Sequence, residues 1–405
     1  MTPINPTVRN RSDLHFAALV LCTGILIGLG YHVTLWTFDE HGLSALSHGM
    51  PYWDFSNLWA GARMTLEGHV AFLFDVETYR ATLRRMFLPD LPDQEWSYPP
   101  SILIFGAPLA LLPIFSAYLV WTFGTVFSLW LAVRPLKLGR LAEVAIMLCP
   151  AMLINAAFGQ NGALTTALLI GGLVAAPKRP LLAGLLFGLL TVKPHLGILV
   201  PFCLLASGNW RAILAAALSS AVLFVLTGTL FGFDVWRLFW TETRPLMTAI
   251  LEAPYPQSYQ SNAATMFFLA RASGLGLTTA YAMQAVATIA AIAAAIWLWL
   301  PWRQAEHRER VVLTAVLATL ATPYGYSYDT IGLAVAVAYL FSTNAKAPRL
   351  FLALIWLYPS IAHIVTNAGF GVGVLVPLSL SAWMLADIRR RDGMPATPRT
   401  AGNTP

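Results

Sequence analysis

A carboxylate, Asp54, stands just beyond the first long apolar run, between Trp53 and Phe55. At a membrane boundary and partly out of water, such a group has the placement a general base needs: near a reacting hydroxyl and poorly screened. An Asp just before Ser56 is equally suited to capping a helix that starts there, so position alone leaves both roles open. Lys193, in Lys193-Pro194-His195, fixes a positive charge at the end of another apolar run. A phosphate or diphosphate headgroup is a natural partner for it. A lysine that merely snorkels to the surface is the plainer alternative. Gly159-Gln160-Asn161-Gly162 reads as a tight turn whose two amides can hydrogen-bond sugar hydroxyls, although turn chemistry alone accounts for Asn161-Gly162. Tyr324, Tyr326, Tyr328 and Asp329 meet where one apolar segment ends and the next begins. Interfacial tyrosines need no further role, while Asp329 is either a helix cap or an acceptor for carbohydrate hydroxyls. A polar run over 255–262, carrying Gln260 and Asn262, lies in a long loop, and long loops without spans of their own are usually functional.

The elements that hold these residues follow from composition. With 57% hydrophobic and 11% charged residues over 405 positions, and a mean hydropathy of +0.65, the chain is too apolar for a soluble domain. It reads as an all-α polytopic membrane protein. The formal charge of +6 is no nucleic-acid footprint, because the basic residues sit in short loops between apolar runs. Cys22, Cys149 and Cys203 lie singly inside apolar runs, which suggests neither a disulfide framework nor a thiolate metal site. The first apolar run lacks a clear small-residue cleavage site and reads as a retained span.

A hydrocarbon core about 30 Å thick takes roughly 20 helical residues, fewer for helices inside a bundle. On that ruler about twelve spans are expected, near 14–36, 114–133, 142–158, 161–176, 180–192, 196–206, 212–231, 277–300, 311–322, 330–342, 349–366 and 374–387. Seven Lys/Arg clusters then fall on one side: Arg9 with Arg11, Arg134 to Arg140, Lys178 with Arg179, Arg211, Arg303 to Arg310, Lys346 with Arg349, and Arg389 to Arg391. The bias of such loops predicts both termini in the cytoplasm. It requires 98–112 to be re-entrant or interfacial. A single transmembrane domain over 14–387 is expected between cytoplasmic tails at 1–13 and 388–405, the latter disordered, with large outer loops at 37–98 and 232–276. The polar residues that are not topology signals collect on the outer side, periplasmic in a Gram-negative cell. Ionisable groups at membrane depth tend to mark function. Within the first outer loop, 56–69 and 76–88 read as amphipathic helices lying in the headgroup plane. Walker A, GxGxxG, HExxH and Gly-x-Ser-x-Gly patterns are absent from the sequence, so nucleotide-driven transport and zinc hydrolysis are unsupported.

Asp54-Phe55, Ala60-Gly61-Ala62-Arg63, Gly68, Tyr98-Pro99-Pro100, Pro108, Leu112-Pro113, Gly159-Gln160-Asn161, Lys193-Pro194, Thr322-Pro323-Tyr324 and Tyr328-Asp329 occur in an order and spacing that resembles glycosyltransferase family 87, over roughly 50–345. The resemblance implies the C-type membrane glycosyltransferase fold and a lipid-phosphate-linked sugar donor used on the outer face; the expected donor is a polyprenyl-phosphate hexose, with mannose favoured as this reading's own expectation. The acceptor would be a lipid or glycan on the outer face of the bacterial inner membrane. It implies Asp54 as catalytic base; the reading of the residues themselves adds Lys193, His195 and Arg63 at the donor phosphate, and Gln160, Asn161, Tyr324, Tyr328, Asp329, Gln260 and Asn262 at the sugar or acceptor. No cofactor, metal or nucleic acid is expected. Two rivals remain at this stage: a flippase or transporter of lipid-linked sugars, and a polymerase or ligase acting on lipid-diphosphate glycans. Transporters often carry repeated hydropathy and broken helices at the midplane, and no convincing repeat is present.

Overall fold

The computed structural model describes residues 11–257, 260, 262–344 and 346–392. Most of both expected tails, and Ser258, Tyr259 and Ser261 of the polar run, lie outside these. Among the described residues the chain is helical, with no strand beyond isolated bridges. After α1 (Arg11–Leu35) comes a cap of α2 (Trp53–Leu66), α3 (Val76–Met86) and α4 (Leu103–Leu109). Next in the chain are α5 (Ile114–Val133), α6 (Arg140–Met147), α7 (Pro150–Phe158), α8 (Gly162–Ala175), α9 (Pro180–Leu189), α10 (Val200–Ala206) and α11 (Trp210–Phe231). A second irregular stretch holds α12 (Asp234–Leu238), a π-turn (Phe239–Thr243), α13 (Arg244–Glu252) and α14 (Met266–Ala272). The chain closes with α15 (Leu277–Trp299), α16 (His307–Leu320), α17 (Ile331–Thr343), α18 (Arg349–Asn367) and α19 (Leu375–Asp392).

Among the described residues six helices are long and apolar enough to cross a membrane: Arg11–Leu35, Ile114–Leu136, Arg140–Phe158, Trp210–Phe231, Leu277–Trp299 and Arg349–Asn367. Five more are apolar but shorter, among them Gly162–Ala175 and Ile331–Thr343. A helix stands at each of the positions where a span is expected, yet length supports six as spans. The physical reason lies in burial. In α8 and α17 nearly every side chain faces protein, so bundle packing rather than bilayer thickness sets their length, and neighbours satisfy their ends. Segment 98–112 is a short turn of helix leading into α4, too short to span.

Small residues let helices close on one another. Gly184 and Gly188, one turn apart on α9, meet α11 so closely that a Cβ on either would overlap Ala215 or Ser219, and Ser219 Oγ donates to the Gly184 carbonyl at 2.7 Å. This is the small-xxx-small packing expected where apolar lipid gives helices little drive to associate.

The first cap helix departs from the interfacial reading. Helix α2 is not laid in a headgroup plane: Phe55, Leu58, Ala60, Gly61, Ala62 and Met64 are all buried. At Gly61 a Cβ would collide with the Trp96 ring, so the small residues of this helix are there for close packing. Helix α3 is amphipathic as expected, burying Tyr79 and Leu83 and presenting Arg80, Arg84 and Arg85 toward the polar side. Arg80 pairs with Asp93 at 3.1 Å and with Glu95, and Arg84 pairs with Asp93, tying α3 to the extended stretch after it.

The two ends of the bundle differ in kind. At one end Arg349 grips Asp13, Arg303 grips Asp392, Arg391 meets Glu309, and Arg308 donates to the Leu136 carbonyl at 3.0 Å. These contacts gather the basic loops after α5, α15 and α17 with both ends of the described chain, which is the one-sidedness read from the Lys/Arg pattern. Glu309 lies in the first turn of α16 and Asp329 follows its other end, so the length of α16, about 20 Å, separates this end from the cluster around Lys193.

Candidate active site

Lys193 ends the 3-10 turn after α9 and enters the bundle between α8 and the turn before α17. Its Nζ donates to Asp329 Oδ1 at 2.6 Å and to Asn161 Oδ1 at 3.2 Å, and lies 5.2 Å from the centre of the Tyr328 ring. The Asp329 side chain is fully buried and that of Lys193 nearly so, which rules out a lysine stretching to open water. Asp329 Oδ2 also accepts the Tyr326 N–H at 3.4 Å, closing a capping box on the Ser327–Asp329 turn. The carboxylate therefore caps a turn and holds a cation at once, joining the two roles the sequence left open. An ammonium has three N–H donors. Two are committed to Asp329 and Asn161; the third has no protein hydrogen-bond acceptor among the described residues.

The turn that carries Gln160 and Asn161 is shaped for close approach. Gly159 sits at φ 65°, where a side chain would be strained, and a Cβ there would run into Phe55. A Cβ on Gly162 would overlap the Tyr328 carbonyl oxygen. The Trp121 Nε1–H spans the turn, donating to the carbonyls of Gly159 at 3.1 Å and Gln160 at 3.3 Å. Glycines thus press α7, α8, α2 and the Tyr328 turn together, and Gln160 is brought to Asp54.

Asp54 lies in the first turn of α2, whose N-cap is Tyr52, with no side-chain cap bond. The helix-capping role is therefore gone. Gln160 is within side-chain hydrogen-bonding reach, Lys193 and Asp329 are near enough for their charges to be felt, and Tyr31, Tyr98 and Tyr328 stand around the carboxylate. The Tyr98 hydroxyl donates to the Asp54 carbonyl at 3.2 Å, and Gln94 Nε2 donates to the Trp53 carbonyl at 2.8 Å, which fixes the start of α2. Burial pushes Asp54 up to about 6, with the neighbouring Asp329 charge adding to it and the Gln160 hydrogen bond and Lys193 charge opposing. Burial likewise raises Asp329, against the pull of Lys193. Burial, with Asp329 close by, outweighs the pull of Lys193 and leaves Asp54 poised near neutrality, as proton abstraction requires.

The remaining expected residues divide. Tyr328 belongs to the cluster, stacked on Tyr326 and beside Lys193. Asn262 accepts from Ser327 Oγ at 3.2 Å, one turn from Asp329. It also lines a crevice of about 10 Å³ with Tyr31 and His363, room for about one water. Three others serve different partners. Arg63, more than two turns further along α2, pairs with Glu67 at 2.7 Å and reaches the Ala110 carbonyl, so it is not brought to Lys193. Gln260 accepts the Gln257 N–H at 2.8 Å and reaches the Ala253 carbonyl, holding its own loop together. Tyr324 turns toward Thr248 and Arg244 of α13. His195 lies against the Tyr324 ring at 5.7 Å, and burial, with the Lys193 charge, pushes it down to about 3. Its Nε2 is buried with no protein hydrogen-bond partner among the described residues. Tyr98 and Trp121 were missed as site-shaping residues. Tyr98 stood within the Tyr-Pro-Pro motif, while nothing marked a tryptophan inside an apolar run.

No curated protein and no solved structure matches the chain. The profile of glycosyltransferase family 87 matches residues 96–323, more than half the chain, taking in Gln160, Asn161 and Lys193 and stopping before Tyr324 and Asp329. An all-helical bundle with a buried lysine and two carboxylates at one end, and a family match that spans its middle, lead to one conclusion: the chain belongs to glycosyltransferase family 87 and is a membrane glycosyltransferase.

Proposed function

We propose that the protein transfers a hexose, mannose favoured, from a polyprenyl-phosphate donor to a lipid or glycan acceptor, with inversion at the anomeric carbon. Supporting this most is the placement of Asp54, raised to about 6 beside a lysine that keeps one N–H uncommitted. In this reading the acceptor hydroxyl gives its proton to Asp54 while its oxygen attacks C1. The bond from C1 to the phosphate oxygen breaks on the opposite side, and the leaving phosphate takes the third N–H of Lys193. Charge developing on that oxygen is stabilised by a cation already fixed in place, which is where such groups contribute most. Gln160, Asn161 and Tyr328 surround the space between base and lysine and are the groups to hold sugar hydroxyls.

The basic loops gathered at the far end of the bundle support a bacterial inner-membrane orientation in which that end is cytoplasmic and Asp54 faces the periplasm. The test is reconstitution of the full chain with a defined polyprenyl-phosphate mannose and a lipid extract as acceptor, with products read by mass spectrometry. A glycoside of inverted configuration is expected. Donor that crosses the bilayer without any glycoside product would overturn the reading.

A further inference from the structure

A second cavity, of about 210 Å³, lies where the α2–α3 cap meets the π-turn and α13. Its walls are of two kinds. Tyr79, Trp96 and Leu246 give aromatic and aliphatic surface; Glu95, Glu242 and Thr243 give oxygens. The Tyr79 and Trp96 rings stand edge to face at 6.5 Å and 70°. Arg80 Nε holds Glu95 Oε1 at 3.1 Å, which orients the carboxylate and leaves Oε2 outside that contact. Two of the lining residues carry buried polar atoms with no protein partner among the described residues, Trp96 Nε1 and Thr243 Oγ1. Such atoms cost about 1–3 kcal/mol each when left unpaired. Thr243 ends the π-turn, a backbone form concentrated at functional sites.

The lining restricts the occupant. Two carboxylates repel a phosphate, so the donor headgroup is a poor fit. The volume is of the order of one pyranose ring and is below the range for larger ligands. Sugar hydroxyls donate to carboxylates in charge-assisted hydrogen bonds. The cavity is also coupled to Asp54. Asn57, one turn along α2, donates from Nδ2 to the Glu95 carbonyl at 2.9 Å and accepts the Tyr79 hydroxyl. Trp96 packs edge-on against Tyr98 at 5.2 Å, and Tyr98 bonds the Asp54 carbonyl.

We propose that this cavity is an acceptor subsite that seats a neutral hexopyranose ring of the acceptor glycan, next to the hydroxyl-bearing unit presented to Asp54. The assignment rests on the transferase reading above. The experiment measures saturation-transfer NMR from the full-length protein in nanodiscs to methyl glucoside, galactoside and mannoside, with methyl 2-amino-2-deoxyglucoside as the cationic comparison. Wild type transfers saturation to the ring protons of at least one neutral pyranoside. Leu246→Trp, which fills the cavity, reduces this about fivefold or more, and Glu242→Gln, at the exposed rim, about twofold or more. Should Leu246→Trp fail to fold, judged by its thermal midpoint, Glu242→Gln carries the test alone. Equal transfer in wild type and the folded variants overturns the site, and binding of the amino sugar alone overturns its ligand class. Binding that depends on these residues, without glycoside formed from a polyprenyl-phosphate sugar, would sink the reaction and leave the site. Product formation with binding indifferent to both residues would do the reverse.

Discussion

Each end of this bundle buries ion pairs, and the two are built to opposite purposes. At the basic end four acids meet arginines: Asp13 is held by both Nε and a terminal nitrogen of Arg349 at 3.2 Å, Asp392 by Arg303, and Glu309 and Asp387 by Arg391. Guanidinium forks match carboxylates, and these pairs tie one helix end to another. At the other end Asp54 and Asp329 share Lys193 with one amide. The first arrangement fastens helices. The second keeps a proton acceptor and a donor hydrogen in reserve, which is how a site differs from a clasp although both are buried charge.

That contrast can be broken by substitution. The largest effect is expected at Asp54: Asp54→Asn should lower sugar transfer about 10²–10⁴-fold, the range for a lost general base, with the thermal midpoint unchanged or raised because a buried charge is gone. Transfer rates beside a melting curve check both. Next, Lys193→Ala strands Asp329 and should cost roughly 3–5 kcal/mol of stability. The double variant Lys193→Ala, Asp329→Asn should regain part of that while transfer stays lost, which chemical denaturation and a transfer assay separate.

A third prediction concerns pH. Asp54 acts as its carboxylate, which is present above about 6 and lost as pH falls through that value. Transfer should therefore drop about tenfold per pH unit on the acid side, with no such limb in Asp54→Asn. At the basic end Arg349→Ala should cost about 1 kcal/mol or less, since both side chains keep some solvent exposure, and should leave transfer per folded molecule alone. Smallest of all, Arg63→Ala removes a half-exposed pair with Glu67 and should change transfer less than about twofold. A large loss there would return Arg63 to the donor site.

Helix positions and the one-sided basic loops were legible because hydropathy and charge are local properties. So was the roster around Lys193: Gln160, Asn161, Tyr328 and Asp329 were named from turn chemistry and the family resemblance, although Lys193 and Asp329 are 136 residues apart. What the sequence hid depends on packing. Gly61 gives no sign on an amphipathic stretch of what it is for until the Trp96 ring lies where its Cβ would be, and α2 is buried. The cavity between Trp96 and Glu242 joins two loops that no motif links, so nothing in either stretch announced it.

The most direct test of the central claim is a structure of Asp54→Asn with a polyprenyl-phosphate sugar trapped in it. The phosphate is predicted within hydrogen-bonding distance of Lys193 Nζ, with the anomeric carbon turned toward residue 54. A phosphate seated on the arginines at the basic end, or sugar held away from residue 54, would contradict the account.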